Sequence, residues 1–375
     1  MSTDMYAPSL PDLVDEFDTT PSMMKLTISL NMLAFGLAQF FYGPLSDRFG
    51  RKPIMLCSIA AVIVLCFACT QVQTVEQLIF VRVLLGLAAA AEAVLGLAII
   101  KDLYTEKQQI KVLASLNTVI AVAPAVAPII GGYLHVHFGW AMNFYVLTAM
   151  ASFAFVVVAM FLPESHTPEP EALRLNRVIG GYTRLFSNNE FLVHASICGL
   201  SLGLIFVFVT GAPFVFIELL GVPIDRYGWY QAFIVIAFIL GSFAASKWPE
   251  HWDSQVLLKS GGRVILLGSS LLVLTIALNA VTAPLMALCY AVMTFGMAGV
   301  FAVGPSRALR SISTQTGSAS AMLSGIEQVT AGLAAVAVSV FHDGSEWPMA
   351  WITVALAVLM VPLLRRSNAL SEAPN

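Results

Sequence analysis

Charged residues are scarce in this sequence: Asp, Glu, Lys and Arg together make up only 11% of the 375 residues, whereas 58% are hydrophobic. A water-soluble domain of this size needs a charged surface, so the composition excludes an ordinary soluble enzyme or binding module. The formal net charge of −3 also excludes the strongly basic surface that binds nucleic acid. The shortage of charge therefore indicates a chain that lies within a lipid bilayer.

Several chemical features are missing as well. No GxxxxGK loop occurs, which excludes a pump that binds nucleotide through a P-loop. The five cysteines lie in apolar stretches, so the spacing of Cys66 and Cys69 predicts packing rather than redox or metal chemistry. Among six histidines only His135 and His137 lie close together, and no acid adjoins them. We therefore expect no catalytic residue, no metal site and no cofactor. The first residues also lack the pattern of a cleavable signal peptide.

What the sequence does contain is a series of apolar runs about 20 residues long, the length needed to cross about 30 Å of hydrocarbon. We predict eleven full spans separated by polar or turn-forming breaks. They lie near residues 22–42, 53–71, 75–99, 111–134, 140–161, 191–214, 224–246, 262–281, 284–305, 318–341 and 347–364.

The polar segment 163–189, which mixes prolines, acids and arginines, separates these spans into two halves and predicts a linker. Residues 1–11 resemble the end of a further helix, too short for the roughly 20 residues that a span requires. The predicted division is an N-terminal bundle at 1–162, a cytoplasmic linker at 163–189, a C-terminal bundle at 190–366 and a cytoplasmic tail at 367–375. Faint repetition between the halves predicts a substrate site between them, near the membrane midplane.

The basic residues predict the orientation, because loops rich in lysine and arginine stay on the cytoplasmic side. Of the 19 lysines and arginines, all except Lys25, Arg82 and Arg226 fall in alternate loops or in the C-terminal segment. One missed or invented span would disrupt this alternation. We therefore predict that the loop at 43–53 and the C-terminus are cytoplasmic.

The most specific motif is GPLSDRFGRK, Gly43 to Lys52, in the first cytoplasmic loop. It resembles the loop motif of the major facilitator superfamily, and the resemblance implies two six-helix bundles, here with an incomplete first helix. Glycines at both ends allow tight turns, and the acid between them can meet an arginine or a helix N-terminus. Such a cluster can act as a gate between the bundles, or be only a basic turn. The predicted gate residues are Gly43, Asp47, Arg48, Gly50 and Arg51.

Further segments resemble the bicyclomycin-resistance (Bcr/CflA) branch of drug/proton antiporters in that superfamily. They are DMYAPSLP from Asp4, the fourth-helix pattern from Arg82 to Gly86, Lys101 to Tyr104, APAVAPIIGG from Ala123, GAPFVFIELLGV from Gly211 and SASAMLSG from Ser318. Leu85 replaces a polar residue that is usual before the glycine. The resemblance covers nearly the whole chain and implies multidrug efflux by exchange with protons across the bacterial inner membrane, by a protein that is usually monomeric.

The APAVAPIIGG segment carries the antiporter helix motif, with Pro124, Pro128, Gly131 and Gly132. The prolines remove backbone donors and bend the helix, while the small residues allow close packing. A tight interface without a water path suits exchange without leak. Ordinary packing of small residues remains the alternative.

Ionisable residues inside spans are costly, about 2.5 to 3.5 kcal/mol on insertion scales, and therefore mark candidate sites. A carboxyl group in an apolar cavity can hold a proton that a cationic substrate then displaces. We expect Asp4 and Glu92 to carry the proton, Arg82 to hold or tune the fourth helix, and Glu327 to face the cavity from the other bundle. Glu92 and Glu327 are not demanded by the family pattern, so they can instead be substrate contacts.

The predicted substrate cavity comprises Tyr6, Glu92, Glu327 and Phe206. Its aromatic and acidic side chains suit hydrophobic or cationic drug-like molecules. Glu218 and His194 lie nearer span ends, where an interfacial carboxylate and a hydrogen-bonded interfacial histidine are expected. Three other functions remain open on the same residues: a metabolite transporter for an amino acid or sugar, an inactive truncated transporter, and a membrane enzyme or channel.

Overall fold

The computed structural model describes residues 2–168, 183, 185–247, 253–310, 312 and 316–372, most of which are helical. The helices of the first half are α1 (Ser2–Tyr6), α2 (Leu10–Glu16), α3 (Pro21–Phe49), α4 (Arg51–Cys69), α5 (Val75–Leu103), α6 (Glu106–Phe138) and α7 (Ala141–Phe161). Those of the second half are α8 (Asn189–Pro213), α9 (Ile224–Ser246), α10 (Ser254–Ala277), α11 (Ala283–Arg310), α12 (Thr316–Val340) and α13 (Trp347–Glu372).

Within the described residues, the eleven helices from α3 to α13 are each long and apolar enough to cross a bilayer. Each overlaps one of the eleven predicted spans, so the predicted all-α membrane fold is confirmed. The short helices α1 and α2 are joined by a 3-10 turn at Ala7–Ser9. Helix α1 packs against α6 and α7, and α2 packs against α3. Large apolar side chains such as Phe41 and Phe153 remain exposed on the outside of the bundles, where lipid would contact them.

Local residues set the ends of the helices. Thr20 and Thr74 accept hydrogen bonds from the backbone three residues ahead, at the start of α3 and α5. Gly50 separates α3 from α4 with a φ of 95°, a conformation that favours glycine. The expected turn at Gly43 is wrong, because α3 continues through it to Phe49. A glycine inside a helix costs only about 1 kcal/mol, which the packing of a long helix easily offsets.

Each half has its own apolar core. Tyr6, Leu10, Leu78 and Phe144 belong to the core of the first half. The larger core of the second half includes Phe208, Phe216, Tyr227, Tyr290 and Met297. The structure therefore contains two helix bundles, and any site between them depends on the surfaces where they meet.

The two bundles meet along two seams. In the first, α3 lies against α12, and a Cβ atom at Gly36 would be 2.7 Å from the backbone nitrogen of Val329. In the second, α6 lies against α9, and a Cβ atom at Gly132 would be 2.6 Å from the carbonyl oxygen of Ile224. The small residues are therefore required for the close approach of the helices.

Most of the predicted linker, 163–189, lies outside the described residues. In the predicted tail at 367–375, α13 continues as far as Glu372, two turns past the apolar run. His194 is hydrogen-bonded as expected, but it is only 1% exposed and lies in the second bundle, where Ser367 Oγ is 3.0 Å from its Nε2. Glu218 is exposed near the end of α8, as expected of an interfacial carboxylate.

Candidate functional site between the two bundles

Asp4 in α1 is joined to the opposite bundle by Gln231 in α9. The Nε2 of Gln231 donates to Asp4 Oδ1 at 3.3 Å and to the carbonyl oxygen of Pro124 at 3.2 Å. The side chain of Gln231 is almost fully buried, at 3% exposure, and the hydroxyl of Tyr227 lies 3.5 Å from its Oε1. One amide therefore links α1 and α6 of the first bundle with α9 of the second.

Pro128 accounts for this arrangement. A helical carbonyl normally accepts from the N–H four residues later, but proline has no N–H, so the carbonyl of Pro124 has no donor within α6. Gln231 supplies that donor from the other bundle. The neighbouring glycines divide between two partners, because Gly131 lies against the backbone of Met5 in α1 while Gly132 lies against Ile224 in α9. The predicted antiporter motif thus lies in the seam.

Arg82 in α5 is fully buried beside Asp4's helix. Its Nε donates to the carbonyl of Thr27 at 3.3 Å, and its Nη1 to the carbonyl of Ser2 at 3.4 Å. The guanidinium lies 4.9 Å from the ring centroid of Tyr6 and 5.8 Å from that of Phe144, distances at which an aromatic face stabilises a cation. Arg82 therefore joins α1, α3 and α5. Tyr6, predicted for the cavity wall, is 0% exposed and covers this arginine.

Glu92 and Glu327 lie in different bundles. Glu92 is on α5, about 140° around the helix from the exposed Leu87, so it points away from the lipid face. It is nevertheless exposed. Glu327 on α12 is partly buried and lies about 120° from the exposed Leu333. Within the described part of the chain, neither carboxylate has a hydrogen-bond or ion-pair partner.

Phe206, the remaining residue predicted for the cavity, is half-buried on α8. The neighbouring Phe208 and Phe216 pack edge to face in the core of the second bundle, with ring centroids 5.8 Å apart. Phe214, in the π-helical turn Phe214–Leu219 that follows α8, instead packs against the first bundle, where the Nζ of Lys25 in α3 is 4.4 Å from its ring centroid. The phenylalanines of α8 and of the turn after it therefore pack against different bundles.

The predicted gate motif forms a charged cluster within the first bundle. Arg51 contacts Asp47 at 2.6 Å and Asp102 at 3.2 Å, so the motif ties the end of α3 to the end of α5. Arg48 instead lies over the ring of Phe49. Glu164 accepts from the backbone N–H groups of Arg51 and Lys52, at 2.9 and 3.2 Å, and so caps the N-terminus of α4. Sequence reasoning did not single out Glu164.

At the opposite end of the molecule, Lys25 of α3 donates to the Nδ1 of His342 at 2.7 Å. The lysine is only 2% exposed. Ser29 and Ser339, one turn deeper, have their hydroxyl oxygens 3.2 Å apart. We call this end the His342 end and the opposite one the Gly50 end. These contacts hold α3 against α12 at the His342 end.

Sequence reasoning missed Gln231 and Lys25 as contacts between bundles, although a signal was present for each. Gln231 is a polar residue within an otherwise apolar stretch of a predicted span. Lys25 is one of the few basic residues outside the predicted cytoplasmic loops. Neither observation identifies the partner, which is distant in sequence.

Comparison with known proteins adds an independent observation. The sequence profile of the Major Facilitator Superfamily matches residues 1–309. The chain is 32% identical over 311 residues to the Bicyclomycin resistance protein homolog of Haemophilus influenzae, covering 82% of this chain and 75% of that protein. It is 25% identical over 370 residues to the Chloramphenicol resistance protein of Pseudomonas aeruginosa, covering 97% of this chain and 86% of that protein.

A third relative is the Multidrug resistance protein MdtL of Klebsiella pneumoniae, 26% identical over 333 residues, which covers 87% of this chain and 81% of that protein. Among solved structures, a D-xylose-proton symporter superimposes with a TM-score of 0.74 over 96% of this chain and 93% of that one, at 13% sequence identity. At that identity the superposition shows a shared fold and nothing about the molecule carried.

Proposed function

The chain belongs to the Major Facilitator Superfamily and is a multi-pass membrane protein, and we propose that it exports drug-like molecules in exchange for protons. The proposed site is the space between its bundles, which open alternately at the two ends of the molecule. The observation that carries this proposal is the link from Asp4 through Gln231 to Pro124, because a titratable group there contacts the opposite bundle.

We propose that the proton acts by changing the strength of the hydrogen bond between Gln231 and Asp4. A hydrogen bond to a charged acceptor contributes about 1.5 to 3 kcal/mol, and one between neutral groups about 0.5 to 1.5 kcal/mol. Protonation of Asp4 would therefore weaken its bond to Gln231 by about 1 kcal/mol, which is about fivefold in an equilibrium between closed and open bundles. Loss of the proton restores the bond and favours closure of the seam between α6 and α9.

The substrate enters the same space beside Glu92 and Glu327. Both carboxylates lack partners within the described residues, so each would be stabilised by a bound cation or by a proton, but not by both together. Their placement on opposite bundles lets a substrate contact both halves. The names of the relatives, which refer to bicyclomycin, chloramphenicol and multiple drugs, support a drug-like cargo.

The proposal extends to location and partners. We place the protein in the bacterial inner membrane as a monomer, with the Gly50 end and the C-terminus in the cytoplasm, because the basic loops cluster there. It acts as a transporter and not as an enzyme, with lipid, protons and the drug as its partners. Alkaline phosphatase fused in the loop after Asn279 should be active, and a green fluorescent protein fused after Glu372 should fluoresce. An inactive phosphatase fusion together with a non-fluorescent C-terminal fusion would mean that the orientation is the opposite one.

Transport into everted membrane vesicles tests the function. With the vesicle interior more acidic than the bath, wild type should accumulate chloramphenicol or an organic cation, and collapse of the gradient should release it. Asp4→Asn should abolish accumulation while the protein remains in the membrane. Asp18→Asn is the matched control, since Asp18 is exposed and its φ of 46° suits asparagine. Accumulation without a gradient, or unchanged accumulation by the Asp4 variant, would contradict proton exchange.

A further inference from the structure

Gln39 is a buried polar residue that the proton link does not use. Its side chain is only 2% exposed, and within the described residues its Oε1 has no hydrogen-bond partner. Gln39 lies about 160° around α3 from Leu37 and Phe41, which are 47% and 72% exposed toward lipid. The glutamine therefore points into the interior. A buried acceptor without a donor costs about 1 to 3 kcal/mol, so its position requires a reason.

The depth of Gln39 follows from the contacts of α3 with its two neighbours. Helices α3 and α5 run in the same direction, with Thr27 bonded to Arg82 and Asn31 packed on Gly86. The same offset places Glu92 opposite residue 37 of α3. The antiparallel helix α12 meets α3 through Leu33 with Gly332 and through Phe40 with Gly325.

This second register places Glu327 opposite residue 38. Gln39, Glu92 and Glu327 thus lie at one depth, within about one turn of a helix. Asp4 is elsewhere, because its neighbours Ser2 and Tyr6 are bonded at the level of Thr27 and Arg82. Helical rise puts it roughly 10 Å nearer the His342 end.

The directions of the three side chains converge as well. On α3, the face toward α12 carries Gly36 and the face toward α5 carries Asn31, and Gln39 lies between these two faces on the interior side. Glu92 and Glu327 each point away from the lipid face of their own helix. The position of Gly96, about 40° from Glu92 on α5, would place a Cβ atom with nothing within 4 Å, so the space there is open.

We propose that Gln39, Glu92 and Glu327 form a binding site, the acceptor site, for an organic cation whose charged head carries N–H groups, such as an amidinium or guanidinium. The inference rests on the proposed export function and assigns it a preferred class of substrate. It separates the substrate from the proton, which is placed at Asp4.

The chemistry of the three groups selects the head group. Two carboxylates and an amide oxygen are all acceptors, and the amide oxygen needs a donor to offset its burial. A quaternary ammonium neutralises charge but has no N–H to donate. A guanidinium has five N–H donors and remains charged at any physiological pH, so it satisfies both requirements. The oxygen of Gln328, also buried and without a partner among the described residues, adds a fourth acceptor on α12.

A matched pair of probes tests the preference: octylguanidinium and octyltrimethylammonium, which share one chain length and one charge. Binding of each to the purified full-length protein in lipid nanodiscs is measured by calorimetry. We expect wild type to bind the guanidinium about tenfold more tightly. Gln39→Leu should reduce that ratio toward one, and Glu327→Gln should weaken both probes. Gln71→Leu and Glu76→Gln, at exposed positions, should keep the wild-type ratio.

Equal affinity of wild type for the two probes would overturn the inference, as would an unchanged ratio in Gln39→Leu. If Gln39→Leu does not fold, Gln39→Asn takes its place. Its side chain is shorter by one carbon, so the ratio of the two affinities should again fall toward one. Vesicle transport of the neutral drug chloramphenicol by wild type is measured in parallel. If wild type does not transport chloramphenicol but still prefers the guanidinium probe, only the proposed function is contradicted. If it transports chloramphenicol but binds both probes equally, only the acceptor site is contradicted.

Discussion

At the position of Pro128, α6 has no backbone N–H, and the consequence appears on another helix in the other bundle. The carbonyl of Pro124 is released from its own helix and is bound by Gln231, which also binds Asp4. At the scale of single residues, the proline thus does more than bend a helix. It creates the acceptor that positions the amide beside the titratable group.

A double-mutant cycle checks this explanation. Pro128→Ala restores an N–H that competes for the carbonyl of Pro124, and Gln231→Leu removes the donor. We expect each change to lower gradient-driven accumulation about tenfold, and the double variant to be no worse than either. Pro362→Ala, at an exposed position within α13, is the matched control and should transport normally. Additive losses would show that proline and glutamine act separately.

His342 provides a second prediction at this scale. Burial, reinforced by the charge of Lys25, lowers the pKa of His342 below its ordinary value of 6.5, although Asp343 opposes the shift. Glu218 is the other acid whose charge acts on Lys25. Since the folded protein takes up this proton less readily than the unfolded chain, the contribution to stability is complete above about pH 6.5 and declines as the pH falls through the folded-state pKa.

Melting temperatures of the detergent-solubilised protein at about pH 8 and about pH 5.5 provide the measurement. Wild type should lose stability on acidification, and His342→Asn should lose less, because asparagine cannot become charged beside Lys25. The comparison between the two proteins removes the effect of other groups that titrate in both. An equal loss in the variant would exclude His342 as a source of acid sensitivity.

At the scale of helices, packing requires a small residue at some positions of α3 and tolerates one at others. A Cβ atom at Gly36 would be 2.7 Å from the backbone of α12, whereas one at Gly43 would meet nothing within 4 Å. A backbone atom cannot rotate away as a side chain can. The two glycines therefore allow a comparison within one helix.

We expect Gly36→Ala to force α3 and α12 apart and to destabilise the protein by about 1 to 3 kcal/mol, the usual effect of overpacking. Gly43→Ala should be neutral or slightly stabilising, since alanine favours the helix by about 1 kcal/mol. Thermal unfolding in detergent and accumulation in vesicles measure the two effects. Equal stability of both variants would mean that the seam can relax at Gly36.

The helices themselves could be predicted from sequence because length and apolar composition are properties of each run alone. The cap residues could not be assigned this way, and Gly43 was wrongly given a turn because α3 extends past its apolar run to Phe49. Asp4 and Glu327 could be named as costly residues in spans. The partner of Asp4, Gln231, could not be named, because the register between α1 and α9 depends on the packing of both bundles.

At the scale of the whole molecule, the buried small residues of α6 show where the bundles meet. Ala127 is 0% exposed, and Gly131 and Gly132 are buried in the half of the helix near the His342 end. A Cβ atom at Gly132 would be 2.6 Å from the carbonyl oxygen of Ile224 in α9. The seam between α6 and α9 is therefore closed at the His342 end.

Alternating access requires the closed end to open in its turn, and a cross-link there tests that requirement. The hydroxyl oxygens of Ser29 and Ser339 are 3.2 Å apart across the seam of α3 and α12, so cysteines at both positions lie close enough to join as a disulfide. The cysteines are introduced with Cys57→Ser, since Cys57 is exposed whereas the other four native cysteines are buried.

Oxidation of Ser29→Cys with Ser339→Cys should stop gradient-driven accumulation, because a covalent bond holds the His342 end closed and the cavity cannot release its cargo there. Reduction should restore transport, and neither single variant should respond to oxidant. Binding of a substrate from the Gly50 end should survive oxidation, since the cross-link lies at the opposite end. Full transport by the oxidised double variant would mean that the bundles do not need to separate at the seam of α3 and α12. Transport would then depend on local movement of other helices and not on rocking of two rigid bundles.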